Sequence, residues 1–173
     1  MAASGNSTSP APVFGQGLVV GVADMKGSKN PDAVIVTYAL GSCLGITLHD
    51  PDKRIGGMVH VMLPDSKLHR GQQVRPAMFV DTGVPLLLNA VLDAGASRSA
   101  LRCKVFGGAQ LLSADQFFQI GAKNVDAFYK VSHELGLKVE VWDVSGRANR
   151  TIRLVNQTGE VHVRMPARPD AIR

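Results

Sequence analysis

Apolar and polar residues alternate along two neighbouring segments in the first third of the chain. Between residues 44 and 49, Leu, Ile and Leu alternate with Gly, Thr and His, which is the period of a strand with one buried face. Residues 49–53 contain Asp and Pro, which favour a turn. Residues 55–63 form the predicted return strand, and Pro64 stops it. This pattern predicts a β-hairpin.

The other apolar segments predict further strands and two helices. The spacing predicts strands over residues 18–22, 33–38, 100–106, 137–144, 151–155 and 161–165, helices over 77–94 and 124–135, and loops over 25–32 and 65–75. In the first helix, Pro85 marks either a kink or a restart, and Gly95 is its expected end. Asn124 is the expected N-cap of the second helix and Gly136 its end.

The order of strands, helix, strand, helix and strands predicts an α/β fold, a layered sandwich in which helices pack on a mixed or antiparallel β-sheet. A chain of 173 residues with 45% hydrophobic content fits one domain. We expect that domain over residues 18–165, a disordered N-terminal tail over 1–17 and a loose C-terminal tail over 166–173.

Composition narrows the class of protein. The net charge is +5, but the basic residues are scattered and aromatic residues make up only 5% of the chain, which argues against binding to nucleic acid. There is no apolar run of about 18 residues and no secretory signal pattern, so we expect a cytoplasmic protein without direct membrane insertion. The two cysteines are expected to be free thiols, and no close ligand spacing indicates a metal site.

Candidate chemistry lies in the predicted hairpin. If Asp50 and Lys53 flank the turn, Cys43 lies directly opposite His60, and opposed Cβ atoms are about 4.5–5.5 Å apart. An imidazole at that distance can take the thiol proton and return it to a leaving group. The Pro-Asp sequence at residues 51–52 is not a favoured two-residue turn, so a longer turn and another register remain open.

Three further groups complete the candidate site. Thr37, six residues before Cys43, offers an oxygen to the second nitrogen of His60. Backbone N–H groups around Gly41, Ser42 and Cys43 are candidates for stabilising an oxyanion. On spacing alone, a cysteine and a histidine on adjacent strands are more often packing residues.

We expect no catalytic role for the remaining cysteine and histidines. The alternation predicts that Cys103 is a buried, inert strand residue. The other histidines are expected to be solvated; they are His49, His69, His133 and His162.

Short motifs in a fixed order resemble the CheD family of chemoreceptor glutamine deamidases. They are LGSC at 40–43, GG-x-x-H at 56–60 with LP at 63–64, FVDT at 79–82, KVFGGA at 104–109, IGAKN at 120–124 and a terminal TGEVHVR. The resemblance covers residues 18–164. It implies a fold similar to that of the cytotoxic necrotizing factor deamidases and a triad of Cys43, His60 and Thr37. Residues 145–150 depart from the glycine-rich turn of the family.

The resemblance also implies an activity and partners. Cys43 would attack a glutamine side chain of a methyl-accepting chemotaxis receptor, His60 would protonate the departing ammonia, and hydrolysis of the thioester would leave glutamate. The implied second partner is the CheY-P phosphatase CheC, which competes with receptors for the same surface, and no cofactor is implied. Two alternatives stay open: a binding module that regulates receptors or CheC without turnover, and a thiol peptidase.

Overall fold

A computed structural model describes residues 17–69, 71, 75–110 and 119–173 of the chain. The tail predicted over residues 1–17 therefore lies, except for Gly17, outside the described residues. Within these ranges, no helix is long and apolar enough to cross a membrane.

The described residues form strands in two sheets and two α-helices. The strands are β1 (Leu18–Val19), β2 (Asp24–Ser28), β3 (Val34–Leu40), β4 (Leu44–Asp50), β5 (Ile55–Val61), β6 (Arg102–Gly107), β7 (Val139–Val144), β8 (Arg150–Val155), β9 (Val161–Arg164) and β10 (Ala171–Ile172). The helices are α1 (Val80–Asp93) and α2 (Ile120–Glu134). Short 3₁₀ turns occupy Ser66–Leu68, Pro76–Met78 and Arg98–Ala100.

Both sheets are mixed. Sheet A has the strand order β1-β3-β8-β9-β10 and sheet B the order β2-β5-β4-β6-β7. The parallel pairs are β1 with β3 and β6 with β7, and α2 lies in the crossover between the latter two, as a parallel connection requires. All other neighbours are antiparallel.

Two apolar clusters define the layers. One contains Ile35 and Ile152 of sheet A together with Met58 and Phe106 of sheet B, so the two sheets pack face to face. The other joins the opposite face of sheet B, including Ile46, to α1 and α2. The molecule is therefore a sandwich of sheet, sheet and helices, and the predicted α/β class is confirmed. The likeness to the toxin deamidases stays a prediction.

The prediction of a loop over residues 25–32 was wrong in its first part. Residues 24–28 form the edge strand β2, which pairs with β5 from Asp24↔His60 to Ser28↔Gly56. Its sequence, DMKGS, has no alternation because the strand is held by backbone pairing at an edge and contributes little to the core. A pattern of side chains therefore carries no signal for it.

The second helix begins earlier than predicted. It starts at Ile120, so Asn124 lies inside α2 and is not its N-cap. Gly136 ends α2 with φ +61°, and Gly95 follows α1 with φ +108°, as the positions of these glycines predicted. Pro85 lies within α1, which does not restart there.

The end of the chain is paired. Ala171 and Ile172 form β10 at the edge of sheet A, next to β9, and the N–H and C=O of Arg173 bond those of Val161. A loose tail was predicted from Pro166; the structure gives its last residues a place in sheet A.

Candidate active site

The hairpin of β4 and β5 has a longer turn than predicted. Asp50 pairs with Ile55 and Gly45 pairs with His60, so the predicted pairing of Cys43 with His60 was wrong by two residues. The Asp50 carboxylate accepts hydrogen bonds from the N–H groups of Asp52 and Lys53, at 3.0 and 3.1 Å, and stabilises the four-residue turn. A shift of two residues keeps every side chain on its predicted face.

Cys43 and His60 lie on the same side of sheet B. Cys43 is two residues before Gly45, the direct partner of His60, and side chains two positions apart along a strand share a face. Its side chain packs against the cluster between the sheets. Such diagonal neighbours are about 7–8 Å apart at the backbone, with side chains closer. The thiol and the imidazole therefore face the same space between the sheets.

Thr37 joins His60 from the opposite sheet. The Thr37 Oγ1 atom is 2.8 Å from Nδ1 of His60 and donates to the carbonyl oxygen of Val20 at 2.7 Å. A hydroxyl has one proton, and a carbonyl can only accept. Because that proton goes to Val20, Nδ1 of His60 must carry the proton that it shares with Thr37. The Nε2 atom then has a free lone pair.

Burial keeps both reactive groups neutral at rest. His60 is 2% exposed, and burial lowers the pKa of its imidazole from 6.5 to about 4. Burial raises the pKa of the half-buried Cys43 thiol. In the described residues, Nε2 of His60 has no hydrogen-bond partner. At rest the thiol is therefore protonated, and the imidazole is neutral with an Nε2 lone pair that can accept a proton.

Residues 41–43 connect sheet A to sheet B and turn their carbonyl groups inward. The Gly41 oxygen accepts from the N–H of Ala109 at 2.8 Å, and the Cys43 oxygen accepts from the N–H of Gly108 at 2.9 Å. The Ser42 oxygen accepts from the side chain of Asn124 at 2.9 Å. Within the described chain, no backbone acceptor pairs with the N–H groups of Gly41, Ser42 or Cys43, so they stay candidates for binding an oxyanion.

An irregular strand end brings Thr37 and Cys43 within one connection. The register of β3 on β8 shifts between Thr37 and Leu40, and Ala39 has φ +54°. A bulge of this kind bends a strand and redirects its side chains, and bulges are frequent beside active sites. Here the chain leaves sheet A after Leu40, three residues beyond Thr37, and enters sheet B directly after Cys43.

Several site-supporting residues escaped the sequence analysis. Asn124 and the pair Gly107-Gly108 contact the Cys43 segment from distant parts of the chain. The clustering of Gly107, Gly108 and Gly121 was a possible signal, since an added Cβ at Gly121 would meet the Gly108 carbonyl at 2.6 Å. The divergent 145–150 segment also reaches this region, because the N–H of Ser145 donates to Gly107 O at 2.8 Å.

The other cysteine and histidines occupy varied environments. Cys103 is fully buried in β6, as predicted, and burial raises the pKa of its thiol to about 12. His49 was expected to be solvated, but it is buried and its Nε2 lies 2.8 Å from the carbonyl oxygen of Asn156. His69 and His133 are exposed and His162 is half-buried. Among the described residues, no group of three or more His, Cys, Asp or Glu could hold a metal ion.

Fold and site together define an α/β protein in which a hydroxyl of one sheet is hydrogen-bonded to an imidazole of the other, with a cysteine at the end of the same space between the sheets. The family model described as CheD chemotactic sensory transduction matches residues 62–165. That match begins two residues after His60, so it includes none of the three side chains.

Similar proteins cover more of the chain. "Probable chemoreceptor glutamine deamidase CheD 1" of Syntrophus aciditrophicus is 39% identical over 153 residues, which is 88% of this chain and 96% of that protein. "Probable chemoreceptor glutamine deamidase CheD" of Symbiobacterium thermophilum is 42% identical over 147 residues, 83% and 89% of the two chains. The protein of that name in Pyrococcus abyssi is 41% identical over 148 residues, 84% and 89%. The chain belongs to the CheD family.

The first of these matches includes the site. A match over 88% of 173 residues leaves about 21 residues outside it at the two ends together. Thr37, Cys43 and His60 are each more than 21 residues from either end and therefore lie inside it.

Proposed function

We propose that this protein is a protein-glutamine deamidase that converts specific glutamines of methyl-accepting chemotaxis receptors to glutamate through a thioester on Cys43. The printed names of its relatives support the substrate class. The hydrogen bond between Thr37 and Nδ1 of His60 supports the mechanism, because it leaves the lone pair of Nε2 free to act as a base. Cys43 is a diagonal neighbour of His60 and faces the same space between the sheets.

In the first half-reaction, Sγ of Cys43 attacks the carboxamide carbon while its proton moves to Nε2 of His60. Since burial favours the neutral form of each group, proton transfer accompanies the attack and does not precede it. The oxygen of the tetrahedral intermediate becomes negative and is bound by the N–H groups of Gly41, Ser42 and Cys43. His60 then gives its proton to the leaving nitrogen, the C–N bond breaks, ammonia departs and a thioester remains.

In the second half-reaction, Nε2 of His60 takes a proton from water, and the resulting hydroxide attacks the thioester carbon. The C–S bond breaks, and the proton returns to the sulfur of Cys43. The product is a glutamate side chain, and the enzyme regains its starting protonation. Throughout, the Thr37 oxygen accepts from Nδ1 and stabilises the transient imidazolium, as the carboxylate does in other triads.

Ammonia release and the mass of a receptor cytoplasmic fragment test this function together. We expect wild type to release one ammonia for each glutamine converted, and Cys43→Ala and His60→Ala to release none while retaining their fold. Cys103→Ala is the matched control, since it removes the buried thiol that the mechanism does not use. Undiminished turnover by Cys43→Ala would exclude the thioester. Receptor binding by wild type without turnover would favour the regulator that acts by binding alone.

The proposal includes a cytoplasmic location, where the receptor fragment that it modifies lies, and CheC as a second partner, which the family resemblance implies. A competition experiment tests CheC as a partner. Added CheC should lower the rate of ammonia release without inactivating Cys43. A rate that is independent of CheC at saturating concentration would remove CheC from the proposal.

A further inference from the structure

One side chain of α2 holds the backbone on both sides of the candidate site. The Nδ2 atom of Asn124 donates to the carbonyl oxygen of Ser42 at 2.9 Å and to that of Met62 at 3.1 Å. Ser42 precedes Cys43, and Met62 lies two residues after His60. Asn124 is fully buried, so water does not compete for these two bonds and each is stronger than at the surface.

The two bonds lie where the hairpin ladder has ended. The last pair of β4 and β5 is Leu44↔Val61. Beyond it, β5 turns away from β4, because the N–H groups of Met62 and Leu63 both bond the carbonyl of Met78, at 2.8 and 3.1 Å. Asn124 therefore bridges the carbonyl of Ser42 and that of Met62 at a point where the ladder between β4 and β5 has ended.

The same contact completes the inward orientation of the nucleophile segment. Backbone N–H groups of Gly108 and Ala109 hold the carbonyls of Cys43 and Gly41, and Asn124 holds the one between them. A peptide plane is rigid, so a carbonyl fixed inward keeps the N–H of the following residue outward. The bond to Ser42 O thereby directs the N–H of Cys43 toward the position of the oxyanion.

We propose that Asn124 is a positioning residue: its amide sets the separation of Cys43 and His60 and orients the Cys43 N–H for the transition state. This proposal rests on the proposed deamidation. Asn124 does not touch the substrate, so its loss affects the chemical step and not substrate binding. Asparagine inside a helix is less favourable than alanine, which agrees with a role other than helix stability.

The chain offers a matched control in Asn156. Asn156 is also fully buried, and its Nδ2 bridges three carbonyl oxygens, those of Ser28, Asn30 and Arg54, at 2.8–3.1 Å. It lies by the turn of the β4–β5 hairpin, at the opposite end from Cys43 and His60. Replacing either asparagine by alanine removes buried hydrogen bonds from a side-chain amide to backbone carbonyls. Only Asn124 makes such bonds next to the candidate site.

The experiment compares Asn124→Ala with Asn156→Ala in steady-state ammonia release and in hydrogen exchange of assigned backbone amides. For Asn124→Ala we expect kcat to fall by about 10²-fold, with KM within about twofold of wild type because substrate contacts are intact. We expect faster exchange at the N–H groups of Gly108 and Ala109. For Asn156→Ala we expect the kcat, the KM and the exchange at those two amides to match wild type.

Equal kcat values for the two variants would overturn the proposal, as would a loss carried by KM alone. If Asn124→Ala does not fold, hydrogen exchange of the side-chain amide of Asn124 in wild type tests the proposal instead. Both of its protons should exchange slowly with solvent. Rapid exchange would show that the bridge does not exist. Hydrogen exchange needs no turnover. An inactive wild type with faster exchange at Gly108 and Ala109 in Asn124→Ala would reject the deamidase and retain the bridge.

Discussion

A single proton on the Thr37 hydroxyl decides which nitrogen of His60 is free. The carbonyl of Val20 takes that proton, so Nδ1 of His60 must donate to Thr37 and Nε2 is left as the base. Threonine is an uncommon orienting residue because its oxygen carries no charge. A hydroxyl alone could either donate to Nδ1 or accept from it. Because this hydroxyl donates to the carbonyl of Val20, it can only accept from Nδ1.

Thr37→Val tests this role at constant shape. The variant should lower kcat by about 10- to 10²-fold, since nothing then holds Nδ1 protonated and the ring free to accept at Nε2. Thr37→Ser keeps the hydroxyl and should retain most of the activity. The measurement is ammonia release at saturating receptor fragment. A Thr37→Val enzyme at the wild-type rate would remove Thr37 from the site.

At the residue scale, the sequence predicted which side chains could react but not which nitrogen of His60 carries the proton. Cys43, His60 and Thr37 were recognisable from spacing and family resemblance, and the structure brings Thr37 and His60 into contact. The tautomer depends on Val20, 17 residues before Thr37, whose place beside β3 arises from strand pairing across the sheet. No local pattern encodes that contact.

At the element scale, the hairpin shows which part of a register a sequence can specify. Alternation determined the face of each residue, because one face of β4 packs on helices and the other on sheet A. It could not determine the turn length, which depends on the Asp50 carboxylate and on Arg54 with φ +54°. The predicted neighbours Cys43 and His60 therefore became diagonal neighbours.

The turn that ends β6 holds the nucleophile segment through Gly107 and Gly108. Gly107 has φ +108°, and a Cβ there would meet the carbonyl oxygen of Cys43. Gly107→Ala should therefore displace that carbonyl, reduce stability by about 2 kcal/mol or more and lower kcat. Urea unfolding and ammonia release measure the two effects.

Gly136→Ala is the control for backbone strain alone. Gly136 has φ +61°, and a Cβ there would meet no atom within 4 Å. We expect a loss of about 1 kcal/mol with unchanged kcat. If both variants lose the same stability and neither loses activity, the contact between Gly107 and Cys43 has no bearing on the site.

At the scale of the whole molecule, the site is a product of sheet stacking. Thr37 belongs to sheet A, while His60 and the residues after Cys43 belong to sheet B. The order of elements predicted the α/β class, because helical and strand periods are local. It could not predict that the strands divide into two sheets, since β3 and β4 are consecutive in the chain and lie in different sheets. The hydrogen bond between Thr37 and His60 depends on this division into two sheets, because it joins one sheet to the other.

Burying a neutral imidazole between the sheets should make the stability of the whole protein depend on pH. The pKa of His60 is about 4 when folded, against 6.5 when unfolded. Between these values the unfolded chain binds a proton that the folded one does not, so stability falls as pH falls. From pH 7 to pH 5 the loss should be about 2 kcal/mol, and it should level off below pH 4. The pKa of buried His49 is also lowered, which adds a loss of the same sign.

Urea unfolding of wild type and His60→Asn at pH 7 and pH 5 isolates the contribution of His60. The variant should lose less stability on acidification than wild type, by about 2 kcal/mol, whatever its absolute stability at pH 7. His133→Asn, at an exposed position on α2, controls for removal of a surface imidazole and should follow wild type. Equal pH dependence in wild type and His60→Asn would mean that His60 is already protonated at pH 5 in the folded protein. The folded pKa of His60 would then lie near 6.5, and burial would not be what keeps the imidazole neutral at rest.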